Sequence, residues 1–270
     1  MRYAFRTSAL MTGLLAMTLT FAGCSEDPTA STSVVTESEA SAPVVEQAEV
    51  DEAARAYVEA LASEDLRAMR RVQKAAAPGS LAQAYMRHQA NGRESDLDGG
   101  YPSQASGEVG ESEDGILRAC YESAESGEKT CYEYGEFKVN ANGALASFTI
   151  DGKALVGRLT VGNGKPATSP LADFVFDTAY ITQNGTLAVS GIIRTKGAGV
   201  FIEAGSNYRS PNGRVRALSY SSGLNEFPAN SRSAFTAYFD GPIKFGGEMN
   251  LVFVEDGGAY SQATAVVSIK

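Results

Sequence analysis

Phe137-Lys138-Val139-Asn140-Ala141-Asn142-Gly143-Ala144-Leu145 places two runs of alternating pattern on either side of a four-residue reversal. Asn140-Ala141-Asn142-Gly143 reads as a hairpin loop, since Asn and Gly tolerate the backbone angles of a tight turn. The flanks then read as antiparallel strands over 130–139 and 144–151. Upstream, from Gln104 onward, the same period of two marks strands near 105–112 and 115–122.

Ahead of Gln104 the period is helical. Ala54, Tyr57, Val58 and Leu61 fall at i, i+3, i+4 and i+7 and make one apolar stripe. Ser63 is placed to cap a second helix, with Glu64 and Asp65 in the first turn to match the dipole. Leu66, Met69, Val72 and Ala76 form its inner face, and Pro78-Gly79 ends it. Ser80 with Gln83 is a capping-box pair for a third helix. That helix carries Leu81, Ala84, Tyr85 and His88 on one side and is expected to stop at Asn91-Gly92. Helices followed by a strand meander predict an α+β domain over 51–152, three helices on an antiparallel sheet.

Residues 153–270 read as all β. Phe174, Phe176 and Tyr180 are expected on one face, with Leu187, Val189 and Ile193 after the Asn184-Gly185 turn. Phe235, Ala237 and Phe239 alternate, as do Met249, Leu251 and Phe253, and Ala265, Val267 and Ile269. Such runs predict about seven strands in a sandwich. The chain has no tryptophan, which excludes the Cys-Trp-Cys core of antibody domains.

From Ser25 to about Val50 the sequence is Ser, Thr, Ala, Glu, Pro and Val without period. It cannot bury enough surface to offset its ordering entropy, so 24–50 is expected to be a disordered tether. Residues 1–23 have a basic start (Arg2, Arg6) and an apolar run from Ala9 to Ala22, with small residues directly before Cys24, as in an export signal. Phe21-Ala22-Gly23-Cys24 resembles the lipobox of bacterial lipoproteins. The resemblance implies lipidation of Cys24 and a mature chain that begins there. A plain secretory signal ending near a cysteine is the alternative.

Two further resemblances concern the folded part. Tyr57-Val58-Glu59-Ala60-Leu61-Ala62-Ser63-Glu64-Asp65 looks like the opening helix of nuclear-transport-factor-two-like (cystatin-like cone) domains, and the 137–145 hairpin resembles a late hairpin of that fold. Gly185-Thr186-Leu187-Ala188-Val189 followed by Pro228, Phe235 and Phe239 resembles the immunoglobulin-like sandwich domains of Gram-positive surface lipoproteins. The whole resembles uncharacterised lipoproteins of high-GC Gram-positive bacteria, which implies no activity and no site residues.

Charge narrows the function. The chain carries 23 basic and 32 acidic residues, and removal of Arg2 and Arg6 with the signal leaves a net −11. That balance opposes nucleic-acid binding, which needs a basic footprint. The membrane is expected to be met through lipid on Cys24 alone. Cys120 and Cys131 lie on either arm of a second predicted hairpin, so their sulfurs should face each other; in an exported protein that pattern predicts a disulfide. A zinc or redox pair is the rival, but there is no nearby His and no C-x-x-C spacing.

His88 is the sole histidine and is open to two readings. It is either a polar group at the mouth of a pocket, lined by Tyr57, Leu61, Tyr85, His88, Tyr134 and Phe148, or an amphipathic residue at the edge of the core. Arg67, Arg70, Arg71 and Lys74 form a basic helix face that could dock an anionic partner or be plainly solvated. Glu108, Glu111, Glu113 and Asp114 lack calcium-loop spacing, and Asp96-Leu97-Asp98-Gly99-Gly100 reads as a turn. Neither metal nor cofactor is expected, and no serine-hydrolase elbow is present. The expectation is a lipid-anchored, extracytoplasmic, non-enzymatic binding or scaffolding module of the cell envelope, partnered by an envelope protein or a wall polymer. Binding of a small apolar ligand in the pocket, or proton transfer there, is the alternative.

Overall fold

The computed structural model describes residues 47–101, 107–112, 115–122, 127, 129–257 and 261–270. The export signal, Cys24 and the tether as far as residue 46 lie outside the described residues, as do Gln104, Glu113 and Asp114.

The apolar stripe of the first helical segment folds as α1 (Gln47–Ala62), whose first four residues fall within the expected tether. Ala54, Tyr57, Val58 and Leu61 are buried as the spacing predicts. Helix α2 (Leu66–Ala75) is capped by Asp65, which accepts the Arg67 N–H at 2.8 Å. Ser63, the expected cap, instead donates to the Ala60 carbonyl at 2.9 Å. Helix α3 (Leu81–Asp98) opens on Ser80, whose hydroxyl accepts the Gln83 N–H at 3.1 Å.

The strands follow the predicted meander closely. β1 (Glu108–Glu111), β2 (Leu117–Glu122), β3 (Lys129–Val139), β4 (Leu145–Ile150) and β5 (Lys153–Ala154) pair in sequence order in one antiparallel sheet. The chain continues through β6 (Leu159–Val161), β7 (Pro166–Thr168), β8 (Ala172–Ile181), β9 (Leu187–Thr195), β10 (Val200–Ile202) and β11 (Asn207–Arg209). It ends with β12 (Val215–Ala217), β13 (Tyr220–Gly223), β14 (Glu226–Phe227), β15 (Arg232–Phe239), β16 (Gly247–Glu255) and β17 (Gln262–Ile269). The second sheet has the order β13-β15-β9-β8-β6, with β7 also on β8. The third has the order β12-β11-β16-β10-β14, with β17 along β16. All these pairings are antiparallel.

Two cores result. One joins the helices to the first sheet through Tyr57, Met86, Phe148 and Ile150, and it also takes in Leu155, Leu159 and Tyr180. The other lies between the second and third sheets, where Phe174, Phe235 and Phe239 meet Met249, Leu251 and Phe253. Gly191 sits in this core because nothing larger fits: a Cβ there would stand 2.5 Å from the Phe174 ring.

This architecture corrects the expected combination of an α+β domain with an immunoglobulin-like sandwich. The described residues are 45% strand and 21% helix, arranged around three antiparallel sheets. The described residues from Gln47 onward form one compact unit. The physical reason is α3. It does not stop at Asn91-Gly92 but runs on to Asp98, and its second half lies across the second sheet. Asn91 accepts from Arg70 Nη2 at 2.9 Å and donates to the Asp177 carboxylate. With its side chain so engaged, it no longer competes for the helix backbone. Asp96 accepts from the Ser222 hydroxyl, and Asp98 accepts the Ala234 N–H at 2.9 Å. The stretch read as a turn is thus the last turn of α3, clamped to β13 and β15.

A second departure follows from a bulge. Phe176 pairs with Gly191 and Thr178 with Ser190, so Asp177 is the extra residue of β8. The alternation reverses there. Phe174 and Phe176 face the sandwich core, while Tyr180 faces the helices and joins the other core, not the same face as expected.

A cleft between α3 and two sheets

Between the first sheet, the second sheet and α3 lies a cleft of about 660 Å³. One helical face supplies its floor. Tyr85, His88, Gln89, Gly92, Arg93 and Asp96 recur at helical spacing along α3 and all line it. On β3, Thr130, Tyr132 and Tyr134 alternate and therefore present one face, with Tyr121 of β2 opposite Thr130. The β8–β9 hairpin adds Tyr180, Thr182, Gln183, Asn184 and Thr186, and β15 adds Tyr238. Leu61, Glu64, Met69, Ile150 and Ala188 complete the wall.

Six tyrosines therefore border one space. Burial pushes the Tyr121 and Tyr180 hydroxyls up to about 12, the Arg158 charge partly opposing it at Tyr180. Burial also raises Tyr85, Tyr134 and Tyr238. These groups stay neutral hydroxyls at physiological pH. Arg158 covers Tyr180, its guanidinium 5.2 Å from the ring centre and its Nη2 donating to the phenol oxygen at 2.9 Å.

His88 is buried, and its Nδ1 stands 3.0 Å from Thr178 Oγ1 and 3.5 Å from Ser190 Oγ. Ser190 is 3.0 Å from Thr236 Oγ1, which is 3.1 Å from Ser95 Oγ. Ser95 in turn donates to the Asn91 carbonyl at 2.9 Å. This chain of hydroxyls is the polar seam that joins α3 to the second sheet. Burial lowers His88 to about 4, so the ring is neutral at pH 7.

Of the six expected pocket residues, Leu61, Tyr85, His88 and Tyr134 line the cleft. Tyr57 and Phe148 do not. The Tyr57 hydroxyl donates to the Ala82 carbonyl at 2.7 Å, and its ring packs edge-on to Phe148 at 5.1 Å between centres. Both belong to the core. His88 reaches hydroxyls of the second sheet, a partner that neither reading of it contained. Tyr121, Tyr132, Tyr180, Tyr238, Gln183 and Asp96 were not anticipated. The alternation Thr130-x-Tyr132-x-Tyr134 was a usable signal; Arg93 and Asp96 of α3 were hidden by the early helix end.

In the basic patch Arg67, Arg71 and Lys74 are exposed. Arg70 is not available, since it pairs with Glu94 at 2.6 Å and bonds Asn91 and Gln73. Cys120 and Cys131 are direct register partners with Cα atoms 4.0 Å apart and their sulfurs at disulfide distance. Their neighbours Tyr121, Thr130 and Tyr132 are cleft residues, so the link holds one wall. Among the described residues no helix is long and apolar enough to cross a membrane.

No family model, curated protein or solved structure matches this chain.

Proposed function

We propose that the protein is a non-enzymatic binding module of the cell envelope, lipid-anchored outside the cytoplasm through Cys24, which holds a small ligand in the cleft. The observation that carries the binding reading is the cleft itself. Its 660 Å³ falls within the roughly 300–1,000 Å³ of small-molecule sites, and polar groups converge on it from α3 and from both sheets. His88 supports binding over proton transfer. Its Nδ1 is engaged by two hydroxyls, and a ring titrating at about 4 is a weak proton acceptor at neutral pH.

The anchor rests on residues 1–24 and on the paired Cys120 and Cys131, which suit an oxidising compartment. Native mass spectrometry of the full-length protein taken from cell membranes tests the binding half. A reproducible small-molecule adduct, reduced by Tyr238→Ala, is expected; a bare protein mass would reject it. Fractionation of Cys24→Ser tests the other half, with release from membranes expected and retention rejecting the anchor.

Docking of an envelope protein or wall polymer is a second reading, favoured by three exposed cations on one helix of a chain with net charge −9. In-cell crosslinking should then capture a partner through the Arg67–Lys74 face, and charge reversal at Arg71 should abolish the capture.

A further inference from the structure

We propose that the cleft takes a neutral saccharide, a short glycan chain whose sugar faces lie on tyrosine rings and whose hydroxyls meet amide and carboxylate side chains. The inference rests on the binding reading above and adds the ligand class.

Charge argues first. The formally charged residues of the lining are Glu64, Arg93 and Asp96, and Arg93 Nε already donates to the Glu64 carbonyl at 3.3 Å. A phosphorylated or carboxylated ligand needs cations concentrated at the site, and this wall has one guanidinium beside two carboxylates. Aliphatic content argues next. Leu61, Met69, Ile150 and Ala188 are scattered among polar groups, whereas an acyl chain needs a continuous apolar tunnel.

The lining that remains has two features. Tyrosine rings supply flat, electron-rich faces against which the weakly positive C–H face of a pyranose can pack. Amides and hydroxyls supply donors and acceptors in pairs, which matches a ligand whose every hydroxyl does both.

Gln183 shows the match at one atom. Its Nε2 donates to the Ile150 carbonyl at 2.7 Å, which fixes the amide plane. Its Oε1 is buried with no partner among the described residues. A buried acceptor left unpaired is costly, and a ligand hydroxyl that displaced its neighbours in the wall would relieve that cost. A sugar hydroxyl is such a donor; a quaternary ammonium ion or a hydrocarbon is not.

Binding is measured on full-length protein in a detergent without a sugar headgroup. The readouts are calorimetry and tyrosine emission, which is unmixed because the chain lacks tryptophan. The probes are maltotriose, cellotriose and triacetylchitotriose, beside laurate, tetramethylammonium and inorganic phosphate. At least one saccharide should bind saturably. Tyr132→Ala, a substitution at the half-open rim, should weaken it about tenfold with an unchanged unfolding midpoint; Gln183→Ala should weaken it likewise, with a lowered midpoint from the lost bond to the Ile150 carbonyl. Saccharide binding indifferent to both variants would place the site elsewhere and overturn the proposal. Response only to laurate, tetramethylammonium or phosphate, lost in Tyr132→Ala, would overturn the class and leave the binding module standing. No response to any probe overturns the class; joined to a bare native mass, it removes both.

Discussion

His88 Nδ1 lies 3.0 Å from Thr178 Oγ1, so the only imidazole of the chain ties the third helix to a strand 90 residues away. The ring is buried and neutral, its titration lowered from 6.5 to about 4. The unfolded chain therefore takes up a proton near pH 6.5 that the folded chain refuses until about pH 4. Stability from this group is complete above pH 6.5 and is lost as pH falls from there toward 4, by up to roughly 3 kcal/mol. Urea midpoints around pH 7 and about pH 5 should fall less in His88→Gln than in the wild type. Equal losses would show that another group governs the acid limb.

Asn91 is expected to matter more than its mid-helix position suggests. It bonds both Arg70 and Asp177, holding α2, α3 and the β8 bulge together. Asn91→Ala leaves those charged partners underused and should cost about 1–3 kcal/mol in denaturant unfolding. A loss within the scatter of surface substitutions would remove this role.

Two glycines should respond in opposite directions. Gly92 lies inside α3 with nothing within 4 Å of where a Cβ would go, so Gly92→Ala should stabilise by about 0.5–1 kcal/mol. A Cβ on Gly191 would meet the Val175 carbonyl oxygen at 2.4 Å and the Phe174 ring at 2.5 Å. Gly191→Ala should cost about 1–3 kcal/mol by overpacking. Thermal unfolding of both variants checks the pair, and matching shifts would contradict the packing described.

The link between Cys120 and Cys131 closes a short loop with a sequence separation of 11. Breaking it by Cys120→Ala with Cys131→Ala should cost about 3 kcal/mol. Thiol labelling of denatured, unreduced protein should find neither cysteine reactive. Two labelled thiols would show that the pair is open.

The strand pattern was legible because it depends on neighbours in sequence. The 137–145 hairpin, the Cys120–Cys131 register and the alternations at Phe235 and Met249 all stand where period-two reading placed them. The failures share one cause. Asn91-Gly92 is a helix end by propensity, and only Arg70 and Asp177, brought there by the fold, carry the helix past it. Tyr180 matched the pattern of Phe176, and only the bulge at Asp177 turns it to the other side. The cleft needed both facts. Leu61, Tyr85, His88 and Tyr134 were findable from helix and strand periodicity, but the wall from β8, β9 and β15 required knowing that α3 reaches them.

The hydroxyl seam under α3 ties together residues on both sides of position 153. A gene fragment beginning at residue 153 would encode every strand of the second and third sheets, yet Thr178, Ser190 and Thr236 would lose the helix that covers them. A fragment ending at residue 152 would keep α3 and expose its far side. Truncation or recombination at that apparent boundary should therefore yield two aggregating pieces where the domain-by-domain pattern of the sequence promises two independent ones.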